Sequence, residues 1–383
     1  MRAVIGSTQP ASPESTAVKP MPLTLNTILL ASFLSSSCTS PSAPDSERLT
    51  LRPSAPSSKG EVVSEMSKNI WVVFQAKNGD YWFGSDGQGV YRYDGKTIVN
   101  FSTKNGLVND RVREILEDKS GNIYFGTLNG FNKFDGKQFT QLTPRADGEW
   151  KLEPDDLWFK GDSMAGGPYR YDGKSLYHLK FPKHYLEDKL RAENPSPPAS
   201  IYGVYTIYKD TKGAIWFGTA AVGAYRFDGK TMSMLFEEHL TNPPGGGSFG
   251  IRSIIEDKNG KFWICNTQYR FAINPGYKIE DKKSLVNYKR EKGIDLLKLQ
   301  HGGNSIYYNG IAKDNNHDLW MSTYGEGAWR YDGEKLMEYS VKDGGKDVLF
   351  VSTYKDNRGD IWLGSQGSGP YRFNGKSFEK FMP

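Results

Sequence analysis

The chain has 383 residues, of which 37% are hydrophobic and 24% charged, so it has enough apolar material for a folded core and is not disordered throughout. Its 49 basic and 44 acidic residues are spread along the sequence without a dense basic patch, which argues against nucleic-acid binding. Two cysteines, Cys38 and Cys265, exclude both a disulfide framework and a zinc site built on cysteines.

The N-terminal segment, residues 1–38, is expected to be an export signal. Residues 23–34 form a largely apolar run that is too short to span a bilayer, which takes about 20 residues. Cys38 follows three serines, and this pattern resembles a bacterial lipoprotein signal in which the cysteine is lipidated. An ordinary cleaved signal or a disordered tail is the alternative. Residues 39–66 are rich in Ser and Pro and predict a flexible tether, and no later segment is apolar enough to cross a membrane.

An internal repeat occupies the rest of the chain. Its anchor is an aromatic residue followed by an apolar one, and it occurs seven times, at Trp82, Tyr124, Trp158, Trp216, Trp263, Trp320 and Trp362, which define repeats one to seven. Most anchors are preceded by Asp-x-x-Gly and followed by a Gly, an aromatic residue and Asp-Gly or Asn-Gly. The anchors recur about every 47 residues, which is the length of a β-propeller blade.

Each repeat is predicted to form four short antiparallel strands. The Asp-Gly pair between alternating runs predicts a tight hairpin of type I′ between the third and fourth strands. The fold prediction is therefore an all-β, seven-bladed propeller of four-stranded antiparallel blades over residues 67–383. Repeat three lacks the Asp-x-x-Gly turn and repeat five lacks the glycines after Trp263, so these two depart from the pattern.

The repeats resemble a known family. Asp210 to Thr219, followed by Gly223 to Lys230, is similar to the two-component-regulator propeller repeat. The resemblance implies a seven-bladed periplasmic sensor that binds extracellular ligands, frequently oligosaccharides, and forms homodimers. No kinase, response regulator or transmembrane segment accompanies the repeats, so we expect a role other than direct signalling in the family's usual manner.

The lengths of the connecting loops predict which side of the propeller binds a ligand. Turns after first and third strands lie on one side, here called the turn face, and loops after second and fourth strands lie on the other, the insertion face. The turns are short and regular, whereas the predicted insertions (143–149, 182–201, 236–249 and 277–306) all fall on the insertion face, where binding residues are expected. The repeated turn Asp residues permit a calcium interpretation, but capping of their own backbone explains them better.

The candidate ligand-binding residues are the polar and aromatic residues of the insertion face. They are Asp86, Gln88, Arg111, Asn129, Asp162, Tyr202, Arg252, Asn266, Tyr308, Tyr324, Glu326 and Gln366. Aromatic rings beside amides and carboxylates suit sugars, and the same mixture suits an envelope protein or a plain solvated loop.

An enzymatic function is the alternative. Streptogramin lyases are also seven-bladed propellers and use histidine and glutamate with a divalent metal, and His301 with Glu326 would imitate that arrangement. No histidine lies in a motif with metal-ligand spacing or beside a nucleophile, so the sequence predicts no metal, no cofactor and no catalytic residue. His317 replaces a turn glycine, where the tolerance of His for positive φ accounts for it.

Overall fold

The computed structural model describes residues 59–196, 199–237, 240, 249–273, 286–296, 306–323 and 326–383. These residues belong to one compact unit that extends from Pro53 to Pro383. The predicted signal with Cys38, and most of the predicted tether, lie outside the described residues. Within the described residues, no helix is long and apolar enough to cross a membrane.

The strands follow the repeats in chain order. Repeat one contains β1 (Glu61–Val63), β2 (Ile70–Gln75), β3 (Tyr81–Ser85), β4 (Val90–Tyr93) and β5 (Ile98–Phe101), and the 3-10 helix Thr103–Asn105 follows. Repeat two contains β6 (Val112–Glu117), β7 (Ile123–Thr127), β8 (Gly130–Phe134) and β9 (Phe139–Leu142). Repeat three contains β10 (Pro144–Arg145), β11 (Leu157–Phe159), β12 (Tyr169–Tyr171) and β13 (Leu176–His178), and the helix α1 (Glu187–Glu193) follows.

The later repeats continue the series. Repeat four contains β14 (Val204–Lys209), β15 (Ile215–Thr219), β16 (Ala224–Phe227) and β17 (Met232–Leu235). Repeat five contains β18 (Ile254–Glu256), β19 (Lys261–Ile264), β20 (Tyr269–Ile273) and β21 (Tyr288–Lys292). Repeat six contains β22 (Tyr308–Lys313), β23 (Leu319–Thr323), β24 (Ala328–Tyr331) and β25 (Leu336–Tyr339), and the small hairpin β26 (Lys342–Asp343) and β27 (Lys346–Asp347) follows. Repeat seven contains β28 (Leu349–Lys355), β29 (Ile361–Gln366), β30 (Tyr371–Phe373) and β31 (Phe378–Lys380).

The strands form an all-β propeller of antiparallel sheets, as predicted. Repeats two to six each form a separate four-stranded sheet. The strands of repeats one and seven share a nine-stranded sheet, in which β2 and β29 are joined by the single pair Ile70 and Ser365. A count of seven blades requires this shared sheet to be divided in two at that pair, and it stays a prediction. β1, which pairs with β5, extends the sheet into residues assigned to the tether.

The core lies between neighbouring sheets and is built from the anchor aromatics. Trp216 is fully buried and lies 4.8 Å, between ring centroids, from Phe262 of the next repeat. Trp320 lies 4.6 Å from Phe373 in the same way. Aromatic pairs at these distances add about 0.5–1.5 kcal/mol each beyond the burial of their area. The anchors therefore hold the sheets to one another as well as forming their interiors.

The turn Asp residues have the structural role that the sequence predicted. In repeat four, Asp210 Oδ1 accepts hydrogen bonds from the backbone N–H of Lys212 and Ala214 at 3.1 and 2.8 Å. Its other oxygen, Oδ2, accepts the indole N–H of Trp216 at 3.0 Å. The same bond joins Asp257 to Trp263, Asp314 to Trp320 and Asp356 to Trp362 at 2.9 Å. Both oxygens are thus used within the repeat.

The hairpins after the third strands differ from the prediction of type I′. Gly95 has φ 96°, but Asp94 is not among the residues with positive φ, and its Oδ1 accepts the N–H groups of Lys96 and Thr97. Positive φ at the first central residue alone is the pattern of type II′. The aspartate is the first residue of the turn and caps it, and of the turn residues only the glycine that follows takes the left-handed conformation.

Repeat three departs from the predicted four antiparallel strands. Its sheet has three antiparallel strands, β11 to β13, and β10 pairs with β13 in parallel at the outer edge. No first strand occurs among residues 146–156, where Pro154 has no N–H to donate to a ladder. The buried carboxylate of Glu114 instead accepts the N–H groups of Lys160 and Gly161, at 2.9 and 3.3 Å for Oε2.

In repeat five the predicted position of one insertion is wrong. The segment 277–306 was expected to follow a fourth strand, but it contains β21, which is the fourth strand itself. The fourth strand of repeat five therefore lies within the segment that was expected to follow it. The residues of β21 show no apolar alternation in the sequence, and their strand is defined by backbone pairing with β20.

Candidate functional site

The first strands form the inner wall of the propeller, and glycines allow them to approach their neighbours. A β-carbon on Gly84 would lie 2.9 Å from Val112 of the next repeat, and one on Gly218 would lie 2.5 Å from Ile251. Real β-carbons essentially never make contacts this short, so a larger residue at either position would force its neighbours to shift. The insertion face is the side on which the first strands begin.

A bulge recurs at the same place near the start of these strands. The pairing register shifts between Ile70 and Val72 and between Val112 and Glu114, and equivalent shifts occur in repeats four, six and seven. Each shift leaves one residue out of the ladder. Bulges of this kind turn a side chain away from its regular direction and are frequent near functional sites.

The residues at this position are the candidate site, and we call them the rim. Each stands five residues before the turn Asp of its repeat, or before the alanine that replaces this Asp in repeat one. The residue at the same position of repeat five is included, although its strand pairing shows no register shift. The rim consists of Trp71, Arg113, Tyr205, Arg252, Asn309 and Val351. Unlike the turn Asp residues, these six side chains are of five different types.

The first cluster on the rim joins repeats one and two. The guanidinium of Arg113 lies over the ring of Trp71, 3.9 Å from its centroid, and its Nη2 donates to Asp86 Oδ1 at 2.9 Å. Arg111 approaches the same oxygen, with its Nε 3.7 Å away. Burial lowers the pKa of Arg113. This cluster is a partly buried cation held between a ring and a carboxylate.

The second cluster joins repeats four and five. The guanidinium of the exposed Arg252 lies 5.0 Å from the ring centroids of both Tyr205 and Phe249, and its Nε donates to the carbonyl oxygen of Phe249 at 3.0 Å. Two rings and one hydrogen bond hold the side chain in place. Among the described residues no carboxylate pairs with it.

Several predicted site residues lie in these clusters or beside them. Asp86 and Arg111 are brought together, and Arg252 is on the rim. Gln88 is exposed nearby and accepts a hydrogen bond from the Tyr91 hydroxyl at 2.9 Å. Asn129, Glu326 and Gln366 are exposed on the same face.

Other predicted residues have different surroundings. Tyr308 is fully buried and Asn266 is 1% exposed, which corrects the expectation that Tyr308 presents its ring to a ligand. Tyr202 donates to Glu187 and accepts from the His184 N–H, both at 2.7 Å, so it holds the segment that contains α1. Asp162 accepts the Met164 N–H at 3.0 Å. Tyr324, His301 and Cys38 lie outside the described residues.

Sequence reasoning missed five rim residues, namely Trp71, Arg113, Tyr205, Asn309 and Val351. Their signal was present, because aligning the repeats on the turn Asp places them in one column with Arg252. The bulge that sets this column apart cannot be read from the residues, since they include aromatic, charged and amide types.

The comparisons with known proteins agree with this fold. Residues 106–129 match the family model described as "Two component regulator propeller". A search of curated proteins gives no match. The match covers part of repeat two, and the solved structures provide the comparison over most of the chain.

Three solved structures illustrate the range of similar proteins. An extracellular domain ascribed to a one-component system of B. thetaiotaomicron is 19% identical with a TM-score of 0.54, over 84% of this chain and 41% of that domain. PorZ, a surface component of the type-IX secretion system of Porphyromonas gingivalis, is 15% identical with a TM-score of 0.54, over 80% of this chain and 46% of that protein. Virginiamycin B lyase from Staphylococcus aureus is 12% identical with a TM-score of 0.54, over 81% of this chain and 96% of that enzyme.

These likenesses show the fold and no more. The chain spans about two fifths of the length of the B. thetaiotaomicron domain, which is 41% covered. The structures include extracellular domains, a surface component and a lyase, so the fold alone does not decide between binding and catalysis.

Proposed function

We propose that this chain is an exported, non-catalytic β-propeller that binds a ligand on its insertion face, at the rim. The observation that supports the proposal is the contrast between two positions of the repeat, the turn Asp and the rim residue. The turn Asp recurs and its oxygens are used in structural hydrogen bonds, whereas the rim position is bulged and holds a different side chain in almost every repeat. A rigid scaffold that varies at one inner position is typical of a binding surface.

The proposal extends to the rest of the chain. Residues 67–383 would form seven blades of a two-component-regulator propeller, residues 39–66 a tether, and residues 1–38 an export signal with lipid on Cys38. The extracellular domains among the similar structures support export. An oligosaccharide is the first candidate ligand, and an envelope protein or a second copy of the chain is the other kind of partner.

A thermal-shift screen tests the binding proposal. The purified chain is heated with a library of oligosaccharides and divalent metals, because a ligand specific for the native state raises the melting temperature by mass action. We expect a reproducible shift with one class of glycan, lost in Arg113→Gln or Arg252→Gln. A flat screen on folded protein would contradict glycan binding and direct the search to a protein partner by affinity capture.

A metal-dependent lyase is the second candidate, and the likeness to virginiamycin B lyase over 96% of that enzyme favours considering it. The described residues give it no further support, since they contain no cluster of His, Cys, Asp and Glu able to hold a metal. Turnover that requires metal and is lost in His301→Ala would establish it. An unchanged rate in His301→Ala would exclude the mechanism that the resemblance implies.

A further inference from the structure

Arg252 differs from the other arginines that lie against aromatic rings. Eight arginines in the described part of the chain do so: Arg113, Arg145, Arg170, Arg226, Arg252, Arg290, Arg330 and Arg372. Seven of them also form an ion pair with an Asp or Glu. Arg252 alone has no such partner there, although it contacts two rings and donates one hydrogen bond.

The way Arg252 is held determines which ligand it suits. A guanidinium has five N–H donors along its edges and none on its faces. In Arg252 the rings of Tyr205 and Phe249 lie against it and one N–H is donated to Phe249, so the remaining N–H groups have no acceptor among the described residues. A fixed fork of donors is matched by a carboxylate or a sulfate.

The same arrangement disfavours a neutral sugar as the main ligand. Neutral sugars stack their C–H faces on open aromatic rings, but the Trp71 ring carries Arg113 at 3.9 Å and Tyr205 carries Arg252. On the rim, then, aromatic rings position cations. The rings of Trp71 and Tyr205 thus each have an arginine against them.

The backbone beside Arg252 is bonded to the residues that follow the second strand of repeat five. Cys265 N–H donates to the Ser253 carbonyl at 3.0 Å, which places Asn266 beside the Arg252 segment. Asn266 is 1% exposed, and its Nδ2 has no partner among the described residues. Asn266 is therefore enclosed by the protein, and Arg252 is the exposed polar side chain that this cluster offers to a ligand.

We propose that the rim binds an acidic oligosaccharide, and that Arg252, held by Tyr205 and Phe249, receives its carboxylate or sulfate group. This inference rests on the proposed function and narrows it. A partly exposed contact between charges is screened by salt, so affinity should fall as ionic strength rises.

Calorimetric titration of the full chain tests this with matched probes. The acidic probes are trigalacturonate and a heparin-derived tetrasaccharide, and the neutral match is the methyl ester of trigalacturonate, which has the same rings. We expect at least one acidic probe to bind. If trigalacturonate binds, its methyl ester should have an affinity at least about tenfold lower, because it loses a charged hydrogen bond.

Two variants and a control locate the contact. Arg252→Gln should weaken the acidic probe about tenfold or more, and Arg252→Lys should restore part of the affinity, because lysine keeps the charge but not the fork. Arg290→Gln is the control, since Arg290 also lies over a ring, that of Tyr269, but is paired with Glu237. It should bind as the unchanged chain does, and melting curves verify that all three variants are folded.

The outcomes separate this inference from the proposed function. Equal binding of trigalacturonate and its ester, or full affinity in Arg252→Gln, would overturn the acidic-ligand inference and leave ligand binding standing. If the acidic peptide triglutamate binds and neither acidic sugar does, the ligand is not an oligosaccharide and the inference is wrong. Failure of every acidic probe would also overturn the inference, while a neutral glycan found in the wider screen would still support the proposed function.

Discussion

At the scale of single residues, the turn Asp is the most heavily used polar group of the repeat. Asp356 is 2% exposed, and its Oδ2 accepts both the Trp362 indole N–H at 2.9 Å and the Tyr81 hydroxyl at 2.6 Å. Asp356→Asn replaces an oxygen with a donor and leaves these groups unpaired, so we expect unfolding to become easier by about 3 kcal/mol. Denaturant titration measures this. Asp94→Asn, in an exposed hairpin, is the control and should cost less, and an equal loss in both would contradict the proposed network.

These aspartates also predict how stability depends on pH. Burial alone would raise the pKa of Asp356, but the hydrogen bonds from Tyr81 and Trp362 outweigh it and hold the pKa below its usual 3.8. In Asp94 and Asp332, hydrogen bonds from backbone N–H groups lower the pKa. A lowered pKa in the folded state adds stability above the unfolded pKa, and this stability is lost as pH falls through the folded value. We therefore expect the free energy of unfolding, measured in denaturant from pH 7 to 3, to fall below about pH 4, and a flat profile would contradict this.

Much of this network was predictable, and the rim was not. The capping by Asp follows from its place in a turn, so the sequence was sufficient to predict it. The bond to the anchor Trp six residues later also follows from a fixed spacing, and could have been predicted. Arg252 was identified as exposed and polar, but its missing ion partner depends on which side chains of other repeats lie nearby, and no local pattern contains that information.

At the scale of single elements, His317 tests how strictly the first turn needs a left-handed residue. His317 has φ 67°, and its N–H donates to the Asp314 carbonyl at 3.1 Å. His317→Gly should preserve stability, whereas His317→Val should lower it by about 1–3 kcal/mol because a β-branched residue is strained there. Thermal or denaturant unfolding measures the difference. Gly213 occupies the same position in repeat four with open space around it, so Gly213→Val should show a similar loss.

A tolerated His317→Val would show that the turn does not require positive φ. It would then suggest that the histidine was retained for another reason, and the structural interpretation of this residue would be wrong.

Strands were predicted well where the repeat is regular and poorly where it is not. In repeat two the predicted four antiparallel strands are all present, as β6 to β9. In repeat three no alternating pattern indicated that β10 would pair in parallel outside the sheet, because only long-range backbone pairing defines it. The strand β21 was missed for the same reason.

At the scale of the whole molecule, repeats one and seven contact each other as consecutive repeats do. Gln75 Oε1 accepts the Asn357 N–H at 2.9 Å, just as Glu117 accepts the Lys77 N–H at 2.9 Å. A β-carbon on Gly364 would lie 2.8 Å from the Ile70 carbonyl oxygen. The propeller is thus closed by the contacts that join its interior sheets, with a backbone pair added between Ile70 and Ser365.

Closure predicts that damage at this junction affects the whole ring. Gly364→Ala should destabilise the chain by about 1–3 kcal/mol, the cost of overpacking, and by an amount similar to Gly218→Ala between repeats four and five. A neutral Gly364→Ala beside a destabilising Gly218→Ala would show that the junction is open in solution.

The stronger test is removal of the last strand. Deleting residues 377–383 removes β31 and Phe381, whose ring lies 4.9 Å from Trp362 and 5.7 Å from Phe83 of repeat one. Because every sheet supports its neighbours, we expect the truncated chain to lose its single cooperative unfolding transition and to melt over a broad range. Phe381→Ala keeps the strand and removes only the ring, so it should lower the melting temperature while the transition stays cooperative. A truncated chain that melts like the full one would show that the junction contributes nothing to stability.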